Sequence, residues 1–272
     1  MEIRDMTFVS RRPSHLRGLY VPPAWTDVVY NDDPEAACVA MGTDAAGRRQ
    51  RLYSAAHAAS AKDAKFDRVR TLLAEWEDIR VQIEGDLNDP AVKGKRREMA
   101  LVAYLIYNTG IRPGTGADER ARVPSFGATT LQLRHVQPCA RGVTLKFIGK
   151  KGVRQSVILT NPYLVKELLR RKRATTAYTT RLFSVGGLGS YFRTLGSGVY
   201  TPKDFRTACG TSLAIELLGW RKRLPRAATK RRRMVNAALD RVARRLGNTR
   251  AVSRGSYVDP TVLERYLAET VS

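Results

Sequence analysis

The sequence predicts an α+β protein, with a small β-rich N-terminal domain over residues 1–84 and a mostly α-helical domain over 85–272 that carries an embedded β-meander. Three observations predict it. Turn-forming Pro, Asn, Asp and Gly punctuate short β-branched and aromatic runs as far as Tyr53. From residue 54 onward, apolar residues recur at helical spacing. Well inside that helical part, the turn Gly149-Lys150-Lys151-Gly152 separates two alternating segments.

Taken in order, Val21-Pro22-Pro23 and Asn31-Asp32-Asp33-Pro34 bracket a strand over Trp25–Tyr30. Cys38–Asp44 and Arg48–Tyr53 form a hairpin that presents a basic strand. Residues 54–84 read as one helical stretch with Phe66, Val69 and Leu73 on one face, and Gly85–Pro90 reads as a linker. An apolar helix over Glu98–Asn108 stops at Gly110. The meander follows, with strands at Thr130–Leu133, Val143–Ile148 and Gln155–Leu159. Helices then return. One runs to Leu218 with Asp204 as its N-cap and Gly219 closing it. A second spans Met234–Leu246, with Val235, Leu239, Val242 and Leu246 inward and Arg241, Arg244 and Arg245 outward. The last begins at Asp259-Pro260.

Composition narrows the function. Hydrophobic residues make up 43% of the 272, enough for a real core. No run reaches the roughly 18 apolar residues of a membrane span, and the most apolar stretch, Met99–Ile111, contains Asn108 and Thr109. The first residues carry charges where a secretory signal needs an apolar segment. Cys38, Cys139 and Cys209 lie far apart with no Cys-x-x-Cys pair, which predicts neither a disulfide framework nor a metal site and fits an intracellular protein.

Charge is strongly uneven. Residues 1–85 hold 12 basic and 13 acidic side chains, whereas 86–272 hold 36 and 12, so the formal charge of +23 belongs to the second part. The densest run comprises Arg221, Lys222, Arg223, Arg226, Lys230, Arg231, Arg232 and Arg233. Such a surface attracts a polyanion and gains from counterion release, so the expected partner is nucleic acid. Read blandly, the run is a solvated face.

The acids of the basic part are too scattered to hold catalytic cations, and no Gly-x4-Gly-Lys-Ser/Thr loop is present. Phosphodiester chemistry without a metal needs a nucleophile, cations around the phosphorane and an acid for the leaving oxygen. Four motifs supply those groups. Asn108–Gly114 places Arg112 past a helix end; Phe147–Gly152 puts Lys150 or its neighbour Lys151 at a hairpin tip; Lys203–Thr207 places Arg206 in the first turn of a helix; and Asn248 precedes Tyr257 by nine residues. Each has an ordinary alternative: a packed tyrosine, a helix-capping arginine, a solvated lysine, an asparagine that ends a helix. A cation in a first helical turn runs against the helix dipole, which points Arg206 toward an anionic partner.

Together with Pro22-Pro23-Ala24-Trp25-Thr26-Asp27-Val28, Gly42-Thr43-Asp44, Gly47-Arg48-Arg49-Gln50, Ala64–Arg68, Gly127–Leu131 and Arg134-His135-Val136, these motifs resemble, in family order, the small type IB DNA topoisomerases of poxviral and bacterial kind. The resemblance implies a tyrosine recombinase/topoisomerase IB-like catalytic domain and a first domain that clamps duplex DNA. It makes Tyr257 the nucleophile of a 3′-phosphotyrosyl intermediate, Arg112 and Arg206 the phosphate-holding arginines, Lys150 the general acid and Asn248 the fifth member, where many relatives have histidine. It also implies relaxation of supercoils by a monomer without ATP, metal or other cofactor. DNA contacts are expected at Arg48, Arg49, Gln50, Arg51, Tyr53, Lys65, Arg68, Arg134, Lys151, Lys203 and Arg254. Two further departures from the family pattern are Ala208, where an aromatic usually follows Arg-Thr, and Arg51, where a tyrosine usually follows Gln. The rivals are a tyrosine recombinase, although Lys203 stands where its His-x-x-Arg box has histidine, and a DNA-binding relative without chemistry.

Overall fold

The computed structural model describes residues 7–116, 123–219 and 225–268. The α+β expectation is met: a β-rich N-terminal part precedes a helical part that holds a second sheet. The chain separates into two compact units, residues 1–66 and 67–272, the division falling within one long helix.

In the first unit, β1 (Phe8–Val9), β2 (Thr26–Asn31), β3 (Cys38–Thr43) and β4 (Arg49–Tyr53) form an antiparallel sheet in sequential order. Its small core gathers Leu16, Tyr30, Val39 and Ala40. Along β4 the side chains alternate, with Arg49, Arg51 and Tyr53 exposed and Gln50 and Leu52 on the more buried face.

Helices α1 (Ala55–Ala74) and α2 (Trp76–Asn88) replace the single expected stretch, broken at Glu75. The Glu75 side chain is engaged elsewhere, its carboxylate accepting from Ser197 N at 2.9 Å and Tyr200 Oη at 2.8 Å. The expected linker at Gly85–Pro90 is corrected as well. Gly85–Asn88 is the last turn of α2, with Leu87 buried and Asp86 accepting from Tyr191 Oη at 2.7 Å. Polar composition suggests a connector there, but Asp86 is taken up by a tertiary contact and Leu87 by the core.

Helix α3 (Gly94–Thr109) is buried on all sides from Ala100 to Ile106, the mark of a central core helix. The meander is β5 (Val136–Cys139), β6 (Gly142–Gly149) and β7 (Val153–Leu159), antiparallel in sequential order. Its first strand lies later than the expected Thr130–Leu133. Those residues form a turn and a 3-10 segment in which His135 Nδ1 accepts from Gln132 N at 3.0 Å. Pro138, which discourages a strand assignment, is tolerated because β5 is an edge.

The remaining described helices are α4 (Pro162–Arg173), α5 (Leu188–Phe192), α6 (Pro202–Leu218), α7 (Ala228–Leu246), α8 (Arg250–Ser256) and α9 (Pro260–Ala268). Asp204 is not the N-cap of α6. Thr201 is, and Asp204 sits at the third helical position, where its Oδ2 accepts from Thr201 N at 3.0 Å in a reciprocal capping box. The inward and outward faces expected for α7 are found, and the helix begins six residues earlier than expected. Of the basic run, Arg221, Lys222 and Arg223 lie outside the described residues. Arg231 is buried instead of facing solvent, its guanidinium donating to the carbonyls of Pro225, Arg226 and Leu267. Thr201→Ala is expected to lower the unfolding free energy by about 1 kcal/mol; urea denaturation with an unchanged midpoint would contradict that role for the cap.

Candidate active site

Helices α3 and α7 both end in left-handed glycines, Gly110 (φ 67°) and Gly247 (φ 60°). The two ends meet, and their carbonyls converge on one side chain. Arg206, only 3% exposed, donates Nη1–H to Gly110 O and Nη2–H to Leu246 O. Each helix C-terminus carries about half a negative elementary charge, so two of them suit one buried guanidinium. Arg206 lies in the second turn of α6, not the first. The dipole of its own helix is therefore not what makes its position informative; the carbonyl ends of two other helices are. Burial, then the nearby Arg112, brings its pKa down to about 10.

Arg112 is held by the segment that follows α3. Ala128 N donates to Arg112 O at 2.8 Å and Thr129 N to Pro113 O at 2.8 Å, so the Gly127–Leu131 motif pins the Arg112 loop. From that loop Arg112 Nη2 donates to Asn248 Oδ1 at 2.5 Å. Asn248 stands in the short connection between α7 and α8, its own N–H donating to Ala243 O at 2.9 Å.

Tyr257 caps the C-terminus of α8 and is 9% exposed. The Arg206 guanidinium carbon lies 4.8 Å from its ring centroid. Burial alone would push the phenol up, but Arg206 and Arg112, which also hydrogen-bond its side chain, hold its pKa below the ordinary tyrosine value. The main chain of Tyr257 is clamped from below. A Cβ on Gly210 of α6 would stand 2.3 Å from Tyr257 O, so only glycine permits this approach. Two residues on, Asp259 N donates to Thr211 Oγ1 at 3.1 Å, and Asp259 Oδ2 accepts from Arg70 at 2.7 Å.

Lys150 is exposed on the β6–β7 turn and lines one narrow cleft with Arg112, Gln155 and Arg206. The structure thus gathers all five catalytic candidates in the second unit: Arg112 bonds Asn248, both arginines act on Tyr257, and Lys150 lines a cleft with both arginines. Three buried donors there have no partner among the described residues: Arg206 Nε, Asn248 Nδ2 and Gln155 Nε2. Converging cationic and neutral donors beside an activated phenol suit a phosphoryl group gaining negative charge. Among the described residues, no group of three or more His, Cys, Asp or Glu is placed to hold a metal.

The expected DNA contacts divide. Arg49, Arg51 and Tyr53 share the exposed face of β4, with Tyr53 stacked on His57 at 5.0 Å. Gln50 belongs to the opposite face, and its Nε2 donates to Asp44 Oδ2 at 2.9 Å. Arg48 is paired with the same carboxylate at 2.8 Å. Lys65 lies over the Phe66 ring, and Arg68 pairs with Asp204 at 3.5 Å. In the second unit, Lys151, Lys203 and Arg254 are exposed, and Arg134 is exposed over the Phe126 ring. Missing from the sequence-based expectation are Lys146 and Arg154, which line a groove of about 540 Å³ on the meander with Arg134. Strand alternation on β6 and β7 carries the signal for them, since both stand at outward positions.

The family described as eukaryotic DNA topoisomerase I, catalytic core, matches residues 54–270. The chain belongs to the type IB DNA topoisomerases. It is 29% identical over 263 residues to DNA topoisomerase 1B of Acanthamoeba polyphaga mimivirus, covering 91% of this chain and 78% of the viral one. It is 28% identical over 152 residues to mitochondrial DNA topoisomerase I of Rattus norvegicus, covering 53% of this chain and 25% of the rat protein. The family match takes in every catalytic candidate.

Two outcomes follow for this type IB topoisomerase. Single-turnover cleavage should accelerate with pH as Tyr257 loses its proton. Arg112→Gln removes a cation that favours the phenolate, so the rising limb should move to higher pH; an unmoved limb would disprove that coupling. Gly210→Ala should displace the Tyr257 main chain and slow cleavage about 100-fold, the scale of a 1 Å misplacement. Retained DNA affinity in a gel-shift assay would separate this from loss of binding.

Proposed function

We propose that the protein relaxes supercoiled duplex DNA as a monomer through a transient single-strand break made by Tyr257. The observation that carries this reading is the contact of Tyr257 with Arg206 beside the Arg112–Asn248 pair. The Tyr257 oxygen attacks the phosphorus, its proton departing to solvent, since the groups acting on the phenol are cations. Arg112 and Arg206 hold the non-bridging oxygens, with the amide of Asn248 as a neutral donor. The bond from phosphorus to the 5′-oxygen breaks, and Lys150 supplies the proton that oxygen takes up, leaving a 3′-phosphotyrosyl link and a free 5′-hydroxyl.

One phosphoester replaces another, so the break conserves the energy needed to reseal it. ATP is not required, and the two arginines supply the charge that a metal ion provides elsewhere. Rotation of the free end before religation releases supercoils. Arg49 and Arg51 of the first unit, with Arg134, Lys146, Arg154, Lys203 and Arg254 of the second, offer the phosphate contacts that keep the duplex bound. The protein acts wherever the cell's or virus's DNA lies, and no helix among the described residues is long and apolar enough to cross a membrane.

The deciding experiment incubates supercoiled plasmid with protein, excess EDTA and no ATP, beside Tyr257→Phe. Relaxation by the wild type alone is expected, with a covalent adduct that the variant never forms. An adduct in Tyr257→Phe would overturn the nucleophile. DNA affinity should fall steeply with salt, with a log–log slope of several units; a flat dependence would contradict the phosphate contacts.

A further inference from the structure

The inward face of β7 reads Gln155, Val157, Leu159, and the two apolar members are buried in the core. Gln155 is the polar exception, placed where the sheet passes from the core to the cleft. Its register partner on β6 is Phe147, two residues before Gly149. The side chain leans on both neighbours that matter. A Cβ built on Gly149, the residue before Lys150, would lie 3.2 Å from Gln155 Cγ. A Cβ on Gly247, the residue before Asn248, would lie 1.9 Å from Gln155 Nε2, so the amide rests directly on the main chain there. Gln155 Nε2 is also a buried donor with no partner among the described residues, and Gln155 lines the cleft with Lys150, Arg112 and Arg206.

A glutamine in this place is costly unless it does something: a buried amide without a partner forfeits its hydrogen bond with water, and an aliphatic side chain would fill the same space. Hairpin tips are the most mobile part of a meander, and Lys150 is exposed, followed by Lys151 in a left-handed conformation (φ 62°). Something must fix where the lysine points relative to the phosphate. Gln155 spans from the base of that tip to the turn that carries Asn248, and its side chain is the nearest neighbour of both glycines.

We infer that Gln155 is a positioning residue for strand cleavage, wedged between Gly149 and Gly247 so that the Lys150 hairpin is held in register with the phosphate site. The inference rests on the proposed role of Lys150 as the acid that protonates the 5′-oxygen. Gln155 does not itself give up a proton. It acts through the lysine, and its loss should resemble a weakened loss of that acid.

The test uses the full-length protein and two DNA substrates, one with the ordinary 5′-oxygen at the scissile phosphate and one with a bridging 5′-sulfur, whose thiolate leaves without a proton. Gln155→Met keeps the length and packing of the side chain and removes the amide; Gln155→Ala removes both. On the oxygen substrate both variants should cleave about 10- to 100-fold more slowly at saturating DNA, part of the range a general acid supplies. DNA affinity should be unchanged. On the sulfur substrate both should return to within about threefold of the wild type, as Lys150→Ala should. A merely structural defect would slow both substrates alike. No slowing on oxygen, or slowing that sulfur does not relieve while Lys150→Ala is relieved, would overturn the inference. If Lys150→Ala itself is not relieved by sulfur, the lysine is not the acid, and the inference falls with that assignment. Should Gln155→Met fail to fold, Gln155→Ala gives the same reading.

Discussion

Everything in the second unit turns on one nearly buried guanidinium, that of Arg206. A charged side chain as buried as Arg206 is tolerable only if its surroundings answer the charge. Here the answer comes from main chain, not from a carboxylate: the final carbonyls of α3 and α7. The distinction matters chemically. A carboxylate partner would neutralise the arginine and repel an incoming phosphate. Helix ends compensate the charge only partially, and Nε keeps no partner among the described residues, so positive potential remains for an anion in the cleft that Arg206 lines.

The same arrangement explains why the fold is built as it is. For two helix ends to meet, both helices must stop abruptly at left-handed glycines, and Leu246 must pack where Gly110 has no side chain. For the Tyr257 ring to reach Arg206, α6 must run under the Tyr257 main chain at Gly210 and hold the next turn through Thr211. The helix that carries the arginine thus also seats the tyrosine. Arginine and phenol sit on different helices, and the close approach at Gly210 brings them together.

Much of this is legible in the sequence, and what is not has a physical reason. The Gly110 and Gly247 stops, the amphipathic faces of α7 and the Lys150 hairpin follow from local chemistry that tertiary structure does not override. The spacing from Asn248 to Tyr257 marks the proposed nucleophile segment within a recognisable family pattern. Composition misleads at Gly85–Asn88, Asp204 and Thr130–Leu133 for one shared reason. Polar groups there are engaged in specific contacts: Asp86 by Tyr191, Asp204 by Thr201, and the Gln132 main-chain N–H by His135. Contacts between residues distant in sequence, such as Arg206 with Leu246 or Arg70 with Asp259, leave no periodic trace. Gln155 is invisible for the opposite reason: one polar residue in an alternating strand looks like noise until its neighbours are known.

The pairing of Arg112 with an amide has a consequence for where such a protein can work. Asn248 accepts from Arg112 through Oδ1 and keeps Nδ2 as a buried donor without a partner among the described residues, and neither group carries a dissociable proton. An imidazole in that place would alternate between acceptor and cation within the range of ordinary cytoplasmic acidity, switching its attraction for Arg112 to repulsion as it charged. The amide makes this corner of the site indifferent to acidification. Acidification over that range leaves the hydrogen bond from Arg112 to Asn248 as it is, so the arginine's alignment does not depend on pH at this position.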